Sequence, residues 1–174
     1  MRRRKYPRTM QKEAIPTDLP SIGPFSWGVK LGDFVFLAGQ GPLSSDGKVI
    51  EGDISLQTRK TLENFRKVLE AAGSSLDDVV STTVYLKDLE DFRKMNEVYS
   101  QFFAAEPRPA RATVRADLLL GMKIEIQGIA HIPEGEKIQS PRPMRASMAK
   151  KKKSKKAAKK KAYYAGRKEK KAKK

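Results

Sequence analysis

The stretch DISLQTRKTLENFRKVLEAAG, residues 53–73, decides the fold. Within it Thr58, Leu62, Phe65, Leu69 and Ala72 recur at steps of four, three, four and three, which stacks them on one face of a helix. Asp53 stands where an N-cap accepts a backbone N–H. Gly73 stands where a helix ends in left-handed backbone, which glycine adopts without steric cost. Such a helix must bury its apolar face against something flat, and the flanking sequence supplies strands. Downstream, VVSTTVYL (residues 79–86) is rich in β-branched residues. Upstream, Phe34-Val-Phe-Leu37 is a short apolar run between Gly32-Asp33 and Gly39-Gln-Gly-Pro42. Residues 29–31 pair with it across a Gly32-Asp33 hairpin turn.

Further along, Phe92, Met95, Tyr99 and Phe102 mark a second helix, capped by Asp91 and stopped by Pro107 and Pro109. Two strands follow, 110–118 and 123–132, joined by a short turn around Gly121. The order strand, strand, helix, strand, helix, strand, strand predicts an α+β domain with two helices on one face of a mixed sheet.

Strand alternation sorts the side chains onto the two faces. It assigns Ala110, Ala112, Val114 and Ala116 to the helices and Arg111, Thr113, Arg115 and Asp117 to the other face. Ile124, Ile126, Gly128 and Ala130 go to the helices, with Glu125, Gln127, Ile129 and His131 opposite. Ser81, Thr83 and Tyr85 join the latter. The first long strand is apolar on both faces, with Val35 and Leu37 behind Phe34 and Phe36. An antiparallel sheet often leaves one face to water. A face mixing polar groups with large apolar ones is better suited to being covered by another subunit, which predicts a closed homo-oligomer.

Charge is distributed unevenly. Residues 137–174 hold 18 Lys and Arg against one acid, Glu169, so the whole formal charge of +17 lies there and residues 1–136 sum to zero. The expected organisation is a basic, irregular arm (1–19), a folded domain (20–133) and a Lys/Ala-rich tail (134–174) with too few large apolar residues to order itself. The tail offers Lys151, Lys152, Lys155, Lys156, Lys159 and Lys160 to phosphates, so a nucleic acid is one partner it predicts, by counterion release that weakens with salt. A solubilising tail or a localisation signal is the equal alternative. There is no cysteine, and His131 is the lone histidine, which removes thiol chemistry, an ordinary zinc site and any metal centre of His and Cys ligands. No apolar run reaches the roughly 20 residues that cross a bilayer. With no secretory signal either, the sequence predicts a cytoplasmic protein with no membrane partner.

Several separated motifs resemble one family. Ile22-Gly-Pro-Phe-Ser26 is similar to its I-G-P-Y-S, and Leu37-Ala-Gly-Gln-Gly-Pro-Leu43 to its S-G-Q-x-P-L. Gln57-Thr-Arg, Leu62-Glu-Asn64, Thr82-Thr-Val-Tyr-Leu-Lys-Asp88, Pro109-Ala-Arg111 and Ile124-Glu-Ile126 follow in order. Together they span roughly residues 20–132 and resemble the Rid (reactive intermediate deaminase) family, also called YjgF or endoribonuclease L-PSP. The resemblance implies a chorismate-mutase-like fold, a homotrimer with inter-subunit pockets, and cofactor-free hydrolysis of small 2-enamine and 2-imine acids such as 2-aminoacrylate to 2-keto acids and ammonia. It implies that Arg111 binds the substrate carboxylate, that Glu125 positions the water, and that Phe25, Gly39 and Thr113 line the substrate site. The chemistry fits both catalytic residues: a guanidinium matches a carboxylate with two parallel hydrogen bonds, and a carboxylate can hold a water and manage its proton.

Three departures narrow the implication. Phe25 replaces the family's Tyr and lacks its hydroxyl, Thr113 replaces a Cys of many members, and Gln127 stands where many have a second Glu. Two other readings therefore stand beside the deaminase. One is a nucleic-acid-associated protein, by its tail or as an endoribonuclease. The other is a regulator that binds a carboxylate ligand without turning it over.

Overall fold

A computed structural model describes residues 11–20 and 23–134 of the chain. The sequence-predicted phosphate contacts Lys151, Lys152, Lys155, Lys156, Lys159 and Lys160 lie outside the described residues, as do the first ten residues of the arm.

Six strands form one sheet: β1 (Glu13–Ala14), β2 (Gly28–Leu31), β3 (Phe34–Gln40), β4 (Val79–Leu86), β5 (Ala110–Arg115) and β6 (Ile124–His131). Helices α1 (Ile54–Ala72) and α2 (Phe92–Phe102) pack on one face of it. The strand order is β1-β2-β3-β6-β4-β5, antiparallel throughout except for β4 and β5, which run parallel across the α2 crossover. The fold is the α+β architecture that the sequence order predicts. β6 enters between β3 and β4, so β5 and β6 are not neighbours although only a short turn separates them in the chain. The sheet also begins inside the expected arm: Ile15 follows β1 and is buried in the core.

Local chemistry explains the elements. Asp53 accepts the Leu56 N–H at 2.9 Å at the start of α1, and Gly73 ends the helix at φ 76°. All five residues of the periodic face are buried, three of them large apolar side chains. The β2–β3 hairpin turns at Gly32, φ 60°, and pairs Leu31 with Phe34. The cap expected at Asp91 is not formed. A 3-10 turn, Leu89–Asp91, runs straight into α2, so Asp91 already has helical backbone, and Asp88 instead accepts the Glu90 N–H.

Close packing of α1 on β6 sets the depth of the core. A Cβ at Gly128 would stand 2.7 Å from the Ser81 carbonyl oxygen and 2.8 Å from Phe65 Cζ, so the Phe65 ring occupies the space that glycine leaves. Buried polar ties fix the helices along the sheet. Tyr99 and Thr82 share a hydrogen bond at 2.8 Å, and Ser74 Oγ donates to the His131 carbonyl at 2.7 Å. Among the described residues no helix is long and apolar enough to cross a membrane.

Phe65 has no exposed surface and meets both the helix layer and the sheet. Truncation in Phe65→Ala should cost about 3–5 kcal/mol of stability, the range for buried phenylalanines, read as a lowered midpoint in urea unfolding. A loss below about 1 kcal/mol, the scale of a surface substitution, would show that this contact does not organise the core.

Candidate functional site

Glu125 sits near the start of β6 on the face away from the helices, opposite Tyr85 of β4. Its neighbour on the other side, β3, is irregular there. The register shifts between Leu37 and Gln40, which bulges Ala38 and Gly39 out of the ladder. The carboxylate lies against this bulge so closely that a Cβ at Gly39 would overlap Glu125 Oε1. Burial raises the Glu125 carboxyl above its ordinary value. Among the described residues no hydrogen bond or ion pair reaches it.

A cavity of about 360 Å³ opens over this carboxylate, with Phe25, Trp27 and Gly39 in its wall. The Phe25 ring stands edge-on to Trp27, centroids 5.0 Å apart. Two buried side chains of α1 hold the surrounding loops. Asn64 Nδ2 donates to the Gly41 and Leu43 carbonyls at 3.0 and 2.9 Å. Gln57 donates to the Ile50 carbonyl and accepts the Lys123 N–H at 2.8 Å, fixing the turn that leads into β6. Periodicity places both on the helix without revealing that they reach these loops.

Arg111 is elsewhere. It lies on β5 opposite Thr82, and Thr82 is buried toward the helices. Arg111, Thr113 and Arg115 therefore face the helix side, while Ala110, Ala112 and Val114 face the open side with Ser81, Thr83 and Tyr85. This reverses the sequence assignment for β5. The physical reason is that β5 is an edge strand whose residues the helices leave mostly exposed, so its small residues need not face inward. The helix side instead offers Arg111 a platform: its guanidinium carbon is 4.6 Å from the Tyr99 ring centroid and 5.8 Å from that of Phe92. Burial pushes the Tyr99 phenol up, against lowering contributions from Thr82 and from Arg111. No acidic side chain among the described residues forms an ion pair with Arg111.

One protomer thus brings Phe25, Gly39 and Glu125 to one cavity and leaves Arg111 and Thr113 on the opposite face of the sheet, beyond β4. The expected pairing of Arg111 with Glu125 on adjacent strands does not occur within a chain. His131 lies on the open face, edge-on to Phe34, with no role at the cavity. Among the described residues no cluster of three His, Cys, Asp or Glu could hold a metal.

Known proteins resemble this chain closely. A RutC family protein of Pyrococcus abyssi is 48% identical over 126 residues, covering 70% of this chain and 98% of the relative. The 2-iminobutanoate/2-iminopropanoate deaminase of Salmonella typhimurium is 40% identical over 126 residues, covering 71% of this chain and 96% of its own length. Among solved structures, E. coli TdcF with bound serine superposes with a TM-score of 0.64 at 38% identity, covering 68% of this chain and 98% of that one. With residues 16–132 matching the family described as endoribonuclease L-PSP, the chain belongs to that family, whose members also carry the RutC and Rid names.

Proposed function

We propose that the protein is a hydrolytic deaminase of 2-imino acids, acting at sites shared by neighbouring copies of the chain in a closed homotrimer. The observation that carries this reading is the state of Glu125: half-buried, without a partner among the described residues, raised in pKa, and facing a cavity. Perturbed carboxylates in cavities are candidates for proton transfer. The name of the Salmonella relative, an imine deaminase, supports the same chemistry.

Because Glu125 and Arg111 lie on opposite faces of one sheet, a single substrate can touch both only if they come from different copies. A ring of copies places the open face of one against the edge strand of the next, and a closed ring repeats that contact with every edge satisfied. In this site the Arg111 guanidinium of one copy, held on Tyr99 and Phe92, takes the substrate carboxylate with two parallel hydrogen bonds. Glu125 of the next copy accepts a proton from water as the water oxygen bonds to the imine carbon, and returns that proton to the imine nitrogen to give the neutral carbinolamine. Glu125 then takes the carbinolamine's hydroxyl proton and delivers it to the amino nitrogen as the C–N bond breaks and the carbonyl forms. Ammonia leaves and the 2-keto acid remains. A 2-enamine acid enters the same sequence after protonation at C3. The imine carbon is electrophilic enough that an oriented water suffices, so the chemistry calls for no cofactor. Phe25 contributes shape here and no proton.

The test is release of ammonia and keto acid from an imine generated in situ by an amino acid oxidase. Arg111→Ala should lower kcat/KM about 100-fold, the value of a charge-assisted pair, and Glu125→Gln about 100-fold or more, as for a lost acid–base group. Mixing the two inactive variants after dissociation should restore about a quarter of the sites, those where a chance pairing around the ring joins an intact arginine to an intact glutamate. Recovery of no activity would refute the shared site.

A second prediction concerns pH. Folding raises the Glu125 pKa, so the unfolded chain releases this proton first as pH rises, and stability falls through the interval between the ordinary value and the raised one. Glu125→Gln should therefore unfold at a higher temperature than the wild type at pH 7, and the gap should close on acidification below the ordinary carboxylate value. The acid limb of wild-type kcat/KM should likewise lie above that value. Equal melting temperatures at pH 7 would show that the carboxylate is not desolvated.

A further inference from the structure

The cavity over Glu125 is larger and more apolar than a small substrate requires. Counted at the roughly 30 Å³ that one water takes up in the liquid, the non-hydrogen atoms of an alanine-derived imino acid, about six in all, fill about half of its 360 Å³. Among the described residues Glu125 is the lone charged side chain in its wall, and Phe25, Trp27, Leu43, Leu119, Leu120 and Met122 supply most of the rest.

The turn that overhangs this cavity is unusual. Leu119 and Leu120 are 77% and 65% exposed, more than any other large hydrophobic residue described. Leu120 also takes φ 57°, ψ 16°, left-handed backbone that glycine or asparagine adopts far more readily than leucine. Glycine is available next door at Gly121, whose own φ is 75° and where an added Cβ would meet nothing within 4 Å. Burial within the protomer accounts for neither leucine. The turn is nevertheless well anchored, by the Met122 N–H on the Leu119 carbonyl at 3.2 Å and the Lys123 N–H on Gln57. A fixed turn that holds two leucines at the mouth of a cavity, one of them in a disfavoured conformation, suits contact with an apolar ligand.

We propose that Leu119 and Leu120 wall a side-chain subsite and that the substrate is a 2-imino acid with a long or branched apolar side chain. This rests on the deaminase reading above. Glu125 and the partner copy's Arg111 hold the imine and carboxylate end, and the remaining half of the cavity takes the side chain. An alanine-derived imine leaves that half filled with water against apolar walls.

Trp27 is the chain's single tryptophan and lines this cavity, so its fluorescence reports occupancy. The full-length protein is titrated with 4-methyl-2-oxopentanoate and with pyruvate, the keto acids that correspond to a leucine-derived and an alanine-derived imine. At about fourfold per buried methylene, the branched acid should bind at least about tenfold more tightly. In Leu120→Asn, a residue that accepts the same backbone, the preference should shrink to about threefold or less. The ratio of kcat/KM for the two imines, measured by ammonia release, should follow the same order and shrink in the same variant. Equal binding, tighter binding of pyruvate, or a preference unchanged in Leu120→Asn overturns the subsite. Loss of ammonia release with the binding preference intact supports the subsite and overturns the catalytic reading, so the two can fail separately.

Discussion

The contact between the Phe65 ring and the bare backbone of Gly128 sets the position of everything functional. It fixes how deeply α1 sits on β6, and α1 carries the two polar side chains that shape the cavity. Gln57 and Asn64 lie on the same helix as Phe65 and reach past the ends of the central strands to the loops that follow β3 and precede β6. Their amides satisfy carbonyls at Gly41, Leu43 and Ile50 and the N–H of Lys123. Unsatisfied, each of these groups would cost about 1–3 kcal/mol if buried. The cavity walls are therefore held by the helix rather than by the strands that carry the chemistry.

Much of this fold is legible in the sequence because its strongest signals are local. The α1 face, its two caps, the β2–β3 hairpin and the alternation of β6 each follow from neighbouring residues, and each appears in the structure. The sheet order does not follow, since nothing between residues 110 and 131 announces that β6 slips between β3 and β4. The facing of β5 fails for a subtler reason. Alternation divides a strand into two sets but does not say which set is covered. Small apolar residues suggest a covered side only where helices press on the strand, and β5 is an edge strand that they leave mostly exposed. What fixes its facing is the stacking of Arg111 on Tyr99 and Phe92, a contact between elements that periodicity cannot reveal.

The site residues divide along the same line. The motif resemblance names Arg111 and Glu125 as partners, and a flat picture of the sheet puts them side by side. The structure separates them by a strand and by the thickness of the sheet. Phe25, Gly39 and Glu125 come together because the β3 bulge, the loop before β2 and the start of β6 lie at the same end of the central strands. The leucines of the 119–121 turn read in sequence as part of a loop, and only their backbone conformation and exposure mark them out.

Separation of the two charged groups also has an electrostatic logic under the proposed function. A cation within about 4–6 Å of Glu125 would lower its pKa and take away the basicity that burial confers. Were Arg111 to pair with Glu125 directly, the empty site would be a neutral, self-satisfied ion pair with little reason to bind an acid or to accept a proton. Holding the guanidinium on aromatic faces, with no ion pair to a carboxylate among the described residues, keeps it available for the substrate's carboxylate. That carboxylate then neutralises Arg111 at the moment of binding, and Glu125 keeps its raised pKa as the water attacks. Burying an unpartnered carboxylate lowers the stability of each protomer. Under the proposed function, a site shared between copies turns that same unpaired charge into a base once the substrate's carboxylate has taken up the arginine.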